Sequence, residues 1–215
     1  LGGVIIDAGN FDWSNGKCPE FTEPSAGYHG LKYYEVLGAA SFIAKVRIEG
    51  LRDLGASLSP FNAFQIIQGL ETLAIRIKKH SENALELAKW LQKRSEVAWV
   101  NYPGLISSKY YDLAQQYLPE GQSGIVTFGL KGGYEAAKKV ADETQFFSLL
   151  ANIGDTKSLI IHPASTTHQQ LSEEQQITTG VTKDLIRLSV GLEDIEDLKA
   201  DLQSVFEKLP VQNLV

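Results

Sequence analysis

From Val97 to Leu209 the chain alternates strand-like and helix-like segments on short connections, and this alternation narrows the possible folds most. Val97 to Tyr102 reads as a strand ended by Pro103-Gly104. Ser108 to Leu118 reads as a polar, aromatic helix, and Gly124 to Leu130 as a second strand. After Gly132-Gly133 a helix runs from Tyr134 to about Thr144, and Ser158 to Ile161 is a third strand. The segment Leu185 to Val190 is a fourth, and Glu193 to Leu209 closes the chain as an amphipathic helix. In that last helix Leu192, Ile195, Leu198, Leu202, Val205 and Phe206 share one face. Glu193, Asp194 and Glu196 crowd its first turns, where the helix dipole favours negative charge. Strands separated by helices in this way predict an α+β layer, a small sheet with helices on one side.

The first hundred residues read differently. Val4-Ile5-Ile6 is a short apolar run among glycines, expected to be a buried strand. Residues 10–30 carry Gly, Pro, Ser, Asn and aromatics and read as a long loop. Ala39 to Leu54 has helical spacing and ends at Gly55. A longer helix starts at Pro60 behind a Ser59 cap, with Ile66, Ile67, Leu70, Leu73, Ala74 and Ile77 on one face. The stripe resumes at Ala84, Leu87, Ala88 and Leu91, so the spacing predicts one long helix linking two domains.

Composition removes several classes of function. A net charge of −6 and a pI near 5.3 leave no basic stripe to neutralise nucleic-acid phosphates. No apolar run reaches the length of a membrane span. The single cysteine, Cys18, excludes an internal disulfide framework and fits a reducing cytoplasm. His29, His80, His162 and His168 do not fall at zinc-ligand spacing, so no metal site is expected. His80, on a polar stretch of the long helix, reads as a solvated residue. There is neither a phosphate-cradling glycine loop nor a Gly-x-Ser-x-Gly elbow. The absence of Met and the opening Leu1-Gly2-Gly3 are expected of one part of a longer polypeptide.

One strand residue stands out chemically. Along Leu185 to Val190, Ile186, Leu188 and Val190 share a face while Arg187 and Ser189 share the other. A guanidinium on a mostly apolar strand needs a partner, and its planar fork suits a carboxylate held by two parallel hydrogen bonds. That carboxylate belongs either to a neighbouring Asp or Glu or to a ligand. Two loops flank the preceding strand: Ala151-Asn152-Ile153-Gly154-Asp155 before it, and His162-Pro163-Ala164-Ser165-Thr166-Thr167-His168 after it. Taken alone, each has ordinary turn chemistry. Together they would let one amide and one guanidinium approach a single anion.

Several ordered segments carry a resemblance to a known family. They are Gly2-Gly3-Val4-Ile5-Ile6-Asp7 with Phe11-Asp12-Trp13, Gly27-Tyr28-His29-Gly30, and Leu51-Arg52-Asp53-Leu54-Gly55. Ser59-Pro60-Phe61-Asn62-Ala63-Phe64, Gln68-Gly69-Leu70-Glu71-Thr72-Leu73 and Tyr102-Pro103-Gly104-Leu105 follow. Then come Asn152-Ile153-Gly154-Asp155, His162-Pro163-Ala164 with Thr167-His168, and Arg187-Leu188-Ser189-Val190-Gly191-Leu192-Glu193. In this order they resemble the C-terminal half of the O-acetylhomoserine sulfhydrylases, within the pyridoxal-phosphate-dependent family of Cys/Met metabolism.

The resemblance implies a type I aminotransferase-like fold, α/β and α+β, in a homo-oligomer. Residues 1–75 would be the end of the large cofactor-binding domain and the start of the linking helix. Residues 76–215 would be the small C-terminal domain that closes over substrate. It implies that Arg187 grips the substrate α-carboxylate with help from Asn152, where the related lyases usually carry Ser. It implies pyridoxal 5'-phosphate as cofactor, with an amino-acid substrate and sulfide as reactants giving homocysteine and acetate. The family's Schiff-base lysine and the groups that hold the phosphate lie upstream of the matching segments. The chain is therefore expected to contain no catalytic or cofactor-binding residue and to be inactive alone, or active with an N-terminal half. Two other readings are a methionine or cystathionine lyase or synthase of the same family, and a non-catalytic fragment with an assembly role.

Overall fold

The computed structural model describes residues 2–210; Leu1 and residues 211–215 lie outside the described residues. The chain divides into two compact units, Leu1–Glu71 and Thr72–Val215.

In the first unit the described elements are helical. They are α1 (Pro19–Thr22), α2 (Tyr33–Leu37), α3 (Ser41–Lys45) running into a π-helical stretch Val46–Asp53, and α4 (Pro60–Glu71), with short 3-10 turns at Ala26–Tyr28 and Gly38–Ala40. A small aromatic cluster organises it: the Trp13 ring stacks on Phe42 at 5.1 Å and meets Phe21 at 4.6 Å. Phe21 and Tyr33 are its buried apolar side chains. The buried strand expected at Val4-Ile5-Ile6 is not there. The segment is irregular, with Val4 81% and Ile6 85% exposed. A strand exists through the amides and carbonyls of a neighbour, and no described strand pairs with this one.

The second unit is the expected α+β layer. Its strands are β1 (Val97–Asn101), β2 (Ile125–Leu130), β3 (Ser148–Leu149), β4 (Leu159–Ile161) and β5 (Leu185–Ser189). They form one sheet in the order β1-β2-β5-β4-β3, antiparallel except for the β3/β4 pair at its edge. Its helices are α5 (Leu73–Leu91), α6 (Tyr111–Tyr117), α7 (Gly133–Glu143), α8 (Glu173–Thr178) and α9 (Ile195–Phe206). Val126, Phe128, Leu130, Ile160, Ile186 and Leu188 all belong to one buried core with side chains of α5, α7 and α9. Each fully buried side chain of this size contributes roughly 1.5–3 kcal/mol. Asp201 on α9 fixes the approach to β3: its carboxylate accepts the backbone N–H groups of Gln145, Phe146 and Phe147 at 2.9–3.0 Å.

Two expectations about the helices need correction. The single long helix from Pro60 is two helices, because α4 ends at Glu71 and α5 begins at Leu73. Thr72 between them sits at φ −109° and ψ 3°, away from helical geometry. A β-branched residue is a weak helix former and a natural place for the break. His80 is not solvated but 1% exposed, and its Nδ1 lies 2.6 Å from the Val190 carbonyl. It stands four residues before Ala84 and seven before Leu87, on the face that the core covers. Its polar neighbours Ser81 and Asn83 are buried as well, and Asn83 bonds the adjoining Gly191 carbonyl. The short α8, not anticipated above, is opened by a reciprocal cap: Ser172 Oγ accepts from Gln175 N at 3.3 Å, and Gln175 Oε1 accepts from Ser172 N at 2.9 Å. Ser-x-x-Gln is the sequence signal for it.

Candidate functional site

With Ile186 and Leu188 turned into the core, strand alternation delivers Arg187 to the opposite face of the middle strand. Register places Thr127 and Ile161 beside it on the two neighbouring strands, and Asn101 beyond Thr127. Asn101 Nδ2 donates to Thr127 Oγ1 at 3.3 Å. Arg187 is half-buried. Its Nη2 donates to the backbone carbonyl of Asn152 at 3.3 Å. Among the described residues no carboxylate lies within ion-pair distance of it. Of the two partners open to a strand arginine, a neighbouring Asp or Glu is thus not the one observed. Most of the fork's hydrogen-bonding capacity is left for a further acceptor.

Asn152 and Arg187 are brought together, but through the main chain of Asn152. Its side chain folds onto its own loop: Oδ1 accepts from Ile153 N at 2.8 Å, and Nδ2 reaches Asp155 Oδ2 at 3.5 Å. The residue is exposed, so a small rotation of its amide is unopposed by packing.

The histidine loop after β4 serves the scaffold. His162 is fully buried, with Nε2 2.8 Å from the Lys183 carbonyl and Nδ1 2.8 Å from Ser165 Oγ. Its ring meets Tyr134 edge-on at 4.8 Å. Burial pushes its pKa below the ordinary 6.5, so a neutral ring ties the end of β4 to the start of β5. His168 is half-buried and its Nδ1 pairs with Thr167 Oγ1 at 2.9 Å.

Sequence reasoning missed the groups that hold this end of the sheet. Glu193, expected to act with Asp194 and Glu196 on the α9 dipole, turns away from the helix. Its Oε1 accepts from Ser158 N at 2.6 Å and its Oε2 from Ser158 Oγ at 2.8 Å. Asp194 is the actual cap, accepting from Glu196 N at 2.8 Å. Ser158 Oγ also accepts from Gly191 N at 2.7 Å, and Leu192 N donates to Thr156 O at 2.9 Å. Asn83 Nδ2 holds the carbonyls of Gly191 (3.1 Å) and Glu193 (2.8 Å) from α5. Gly191 belongs to the same packing: a Cβ there would collide with Glu193 Oε2 and Thr156 O, so this position suits only glycine.

Pyridoxal phosphate needs an amine held out of water and a cradle for its phosphate. No lysine among the described residues is buried, and Lys45, Lys138, Lys139, Lys183 and Lys199 each face a carboxylate. The described residues do not by themselves fit that group. They also contain no cluster of three metal-ligating side chains and no helix long and apolar enough to cross a membrane.

The profile of the Cys/Met metabolism PLP-dependent enzyme family matches residues 1–207. The chain is 54% identical, over 97% of its length, to an O-acetyl-L-homoserine sulfhydrylase of Leptospira meyeri, and 52% identical, over 94%, to O-acetyl-L-homoserine sulfhydrylase 1 of Thermus thermophilus. It covers 49% and 48% of those proteins, so the chain spans about half the length of the curated relatives it matches. A crystal structure from Campylobacter jejuni, assigned as an O-acetylhomoserine (thiol)-lyase with a pyridoxyl-lysine monophosphate at its position 205, superposes with a TM-score of 0.79. It is 50% identical, over 88% of this chain and 45% of that one. The chain belongs to the Cys/Met metabolism PLP-dependent enzymes, and its fold is that of the type I PLP-dependent enzymes.

Proposed function

We propose, with membership of that family as the premise, that this chain is the C-terminal part of an O-acetylhomoserine sulfhydrylase. The observation that carries the reading is the half-buried guanidinium of Arg187 on the face of β5 turned from the core, for which one backbone carbonyl and no carboxylate is found among the described residues. Arg187 anchors the substrate α-carboxylate through a bidentate, charge-assisted pair, and the Asn152 amide orients it. When bound, the cofactor supplies an electron sink. The reaction breaks the bond from the γ-carbon to the acetate oxygen and forms one to sulfide, giving homocysteine and acetate. This chain's part is to fix the amino acid so that its Cα is aligned for that chemistry.

On this reading residues 1–75 complete the cofactor domain and residues 76–215 form the domain that closes on substrate. The lysine and phosphate-binding groups then lie in the rest of the polypeptide. The full-length protein is a cytoplasmic homo-oligomer. The chain alone is expected to show no visible cofactor band and no turnover.

The test is product analysis of the full-length enzyme given O-acetylhomoserine with sulfide and, separately, methionine or cystathionine. Homocysteine with acetate supports the sulfhydrylase. An oxo acid with ammonia, formed from methionine or cystathionine, assigns it to the lyases of the same family.

A further inference from the structure

We infer that Glu193 is a positioning residue for the carboxylate site, acting through Ser158 on the loop that carries Asn152; the inference rests on the reading of Arg187 given above. Residues 150–158 connect β3 to β4. That loop is tied at both ends to the β5 segment. At its start the Arg187 guanidinium holds the Asn152 carbonyl. At its end Glu193 grips both the N–H and the hydroxyl of Ser158, while Gly191 and Leu192 donate to Ser158 Oγ and Thr156 O. Between them Asp155 closes the turn by accepting from Lys157 N at 3.0 Å.

The chemistry of the clamp fits a positioning role. Ser158 is fully buried, so its N–H and hydroxyl have no water to turn to if the carboxylate is removed. The carboxylate takes both donors at once, and hydrogen bonds to a charged acceptor are the strong ones. Helix α9 starts one residue after the Asp194 cap, so the clamp ties the loop to the helix that packs the core. At its other end Asn152 is exposed and held mainly by its own loop. The reach from Arg187 to Asn152 is thus set by where the clamp leaves the loop. A carboxylate bound to Arg187 would feel a displaced Asn152 as a misaligned partner.

Glu193→Ala and Glu193→Gln in the full-length holoenzyme, with Arg187→Ala as reference, test this. Glu193→Ala raises KM for the amino-acid substrate about tenfold while kcat changes much less. Glu193→Gln lies between Ala and the native enzyme, because its carbonyl still accepts from Ser158 N. Hydrogen exchange of peptides spanning 152–158 quickens in Glu193→Ala, while peptides spanning 198–206 keep their protection. If the alanine variant fails to fold, Ser158→Ala removes only the hydroxyl bridge and moves KM and loop exchange in the same direction by less. Unchanged loop exchange overturns the inference, and so does quicker exchange with KM within about twofold of native. Arg187 separates the two ideas. A large KM effect there with none at Glu193 removes this inference alone, whereas no KM effect at Arg187 removes the site itself.

Discussion

The two units of this chain use apolar residues in opposite ways. Between Thr72 and Leu209 the apolar faces of the sheet and of α5, α7 and α9 meet in one core, and Leu87, Phe128, Leu188 and Leu202 are fully buried. Between residues 2 and 71 only Phe21 and Tyr33 among the apolar side chains are buried, while Val4, Ile6, Phe61, Ile67 and Leu70 are each more than half exposed. Periodicity records that a face is apolar; it does not say that its cover lies in the same stretch of chain. On the reading proposed above, the cover for residues 2–71 is the rest of the cofactor domain.

The strongest challenge to this contrast is to separate the units. Residues 72–215 alone are expected to unfold in one cooperative urea transition followed by Trp90 and Trp99 fluorescence. Residues 1–71 alone, followed by Trp13, are expected to give none. A cooperative transition in the shorter piece would erase the distinction.

Within the whole chain the contrast is sharpened by paired truncations. Leu202→Ala, at a fully buried site, is expected to cost about 2–5 kcal/mol, and Ile67→Ala, at a site 55% exposed, to stay within about 0.5 kcal/mol. Equal costs would mean that Ile67 is packed. A smaller loss, about 1–3 kcal/mol, is expected for Asp201→Ala, which strands the three amides of residues 145–147. Asp201→Asn should recover part of it, since one carbonyl oxygen remains.

The smallest effect is on pH dependence. Burial holds His162 neutral with its pKa below 6.5, so the unfolded chain takes up a proton that the folded one refuses. Stability is complete above about 6.5 and falls as pH drops from there toward the folded-state pKa of His162. His162→Gln should lower stability at neutral pH and flatten this slope. A slope of the same size in the variant would place its origin in another group.

What could be read from the sequence follows the range of the interactions. Four of the second unit's strands and its closing helix were legible because alternation and the 3.6-residue period are local signals that its core then rewards, whereas the two-residue β3 is too short to carry one. Val4-Ile5-Ile6 was misread because a strand is defined by neighbours, and Thr72 because one residue's dihedrals break a helix without breaking its stripe. His80 looked solvated from its sequence neighbours; its partner, Val190, is 110 residues away. The site divides in the same way. Arg187 stands out because a cation on an apolar strand is a local anomaly. The Glu193–Ser158 clamp joins two ordinary residues 35 positions apart, and no local pattern announces it.

The central claim is that Arg187 binds the substrate carboxylate, and KM for the amino-acid substrate in full-length Arg187→Ala tests it most directly. The expected result is a rise of about a hundredfold or more, with Arg187→Lys restoring part of it because a point charge replaces the planar fork. An Arg187→Ala enzyme with native KM would contradict the account.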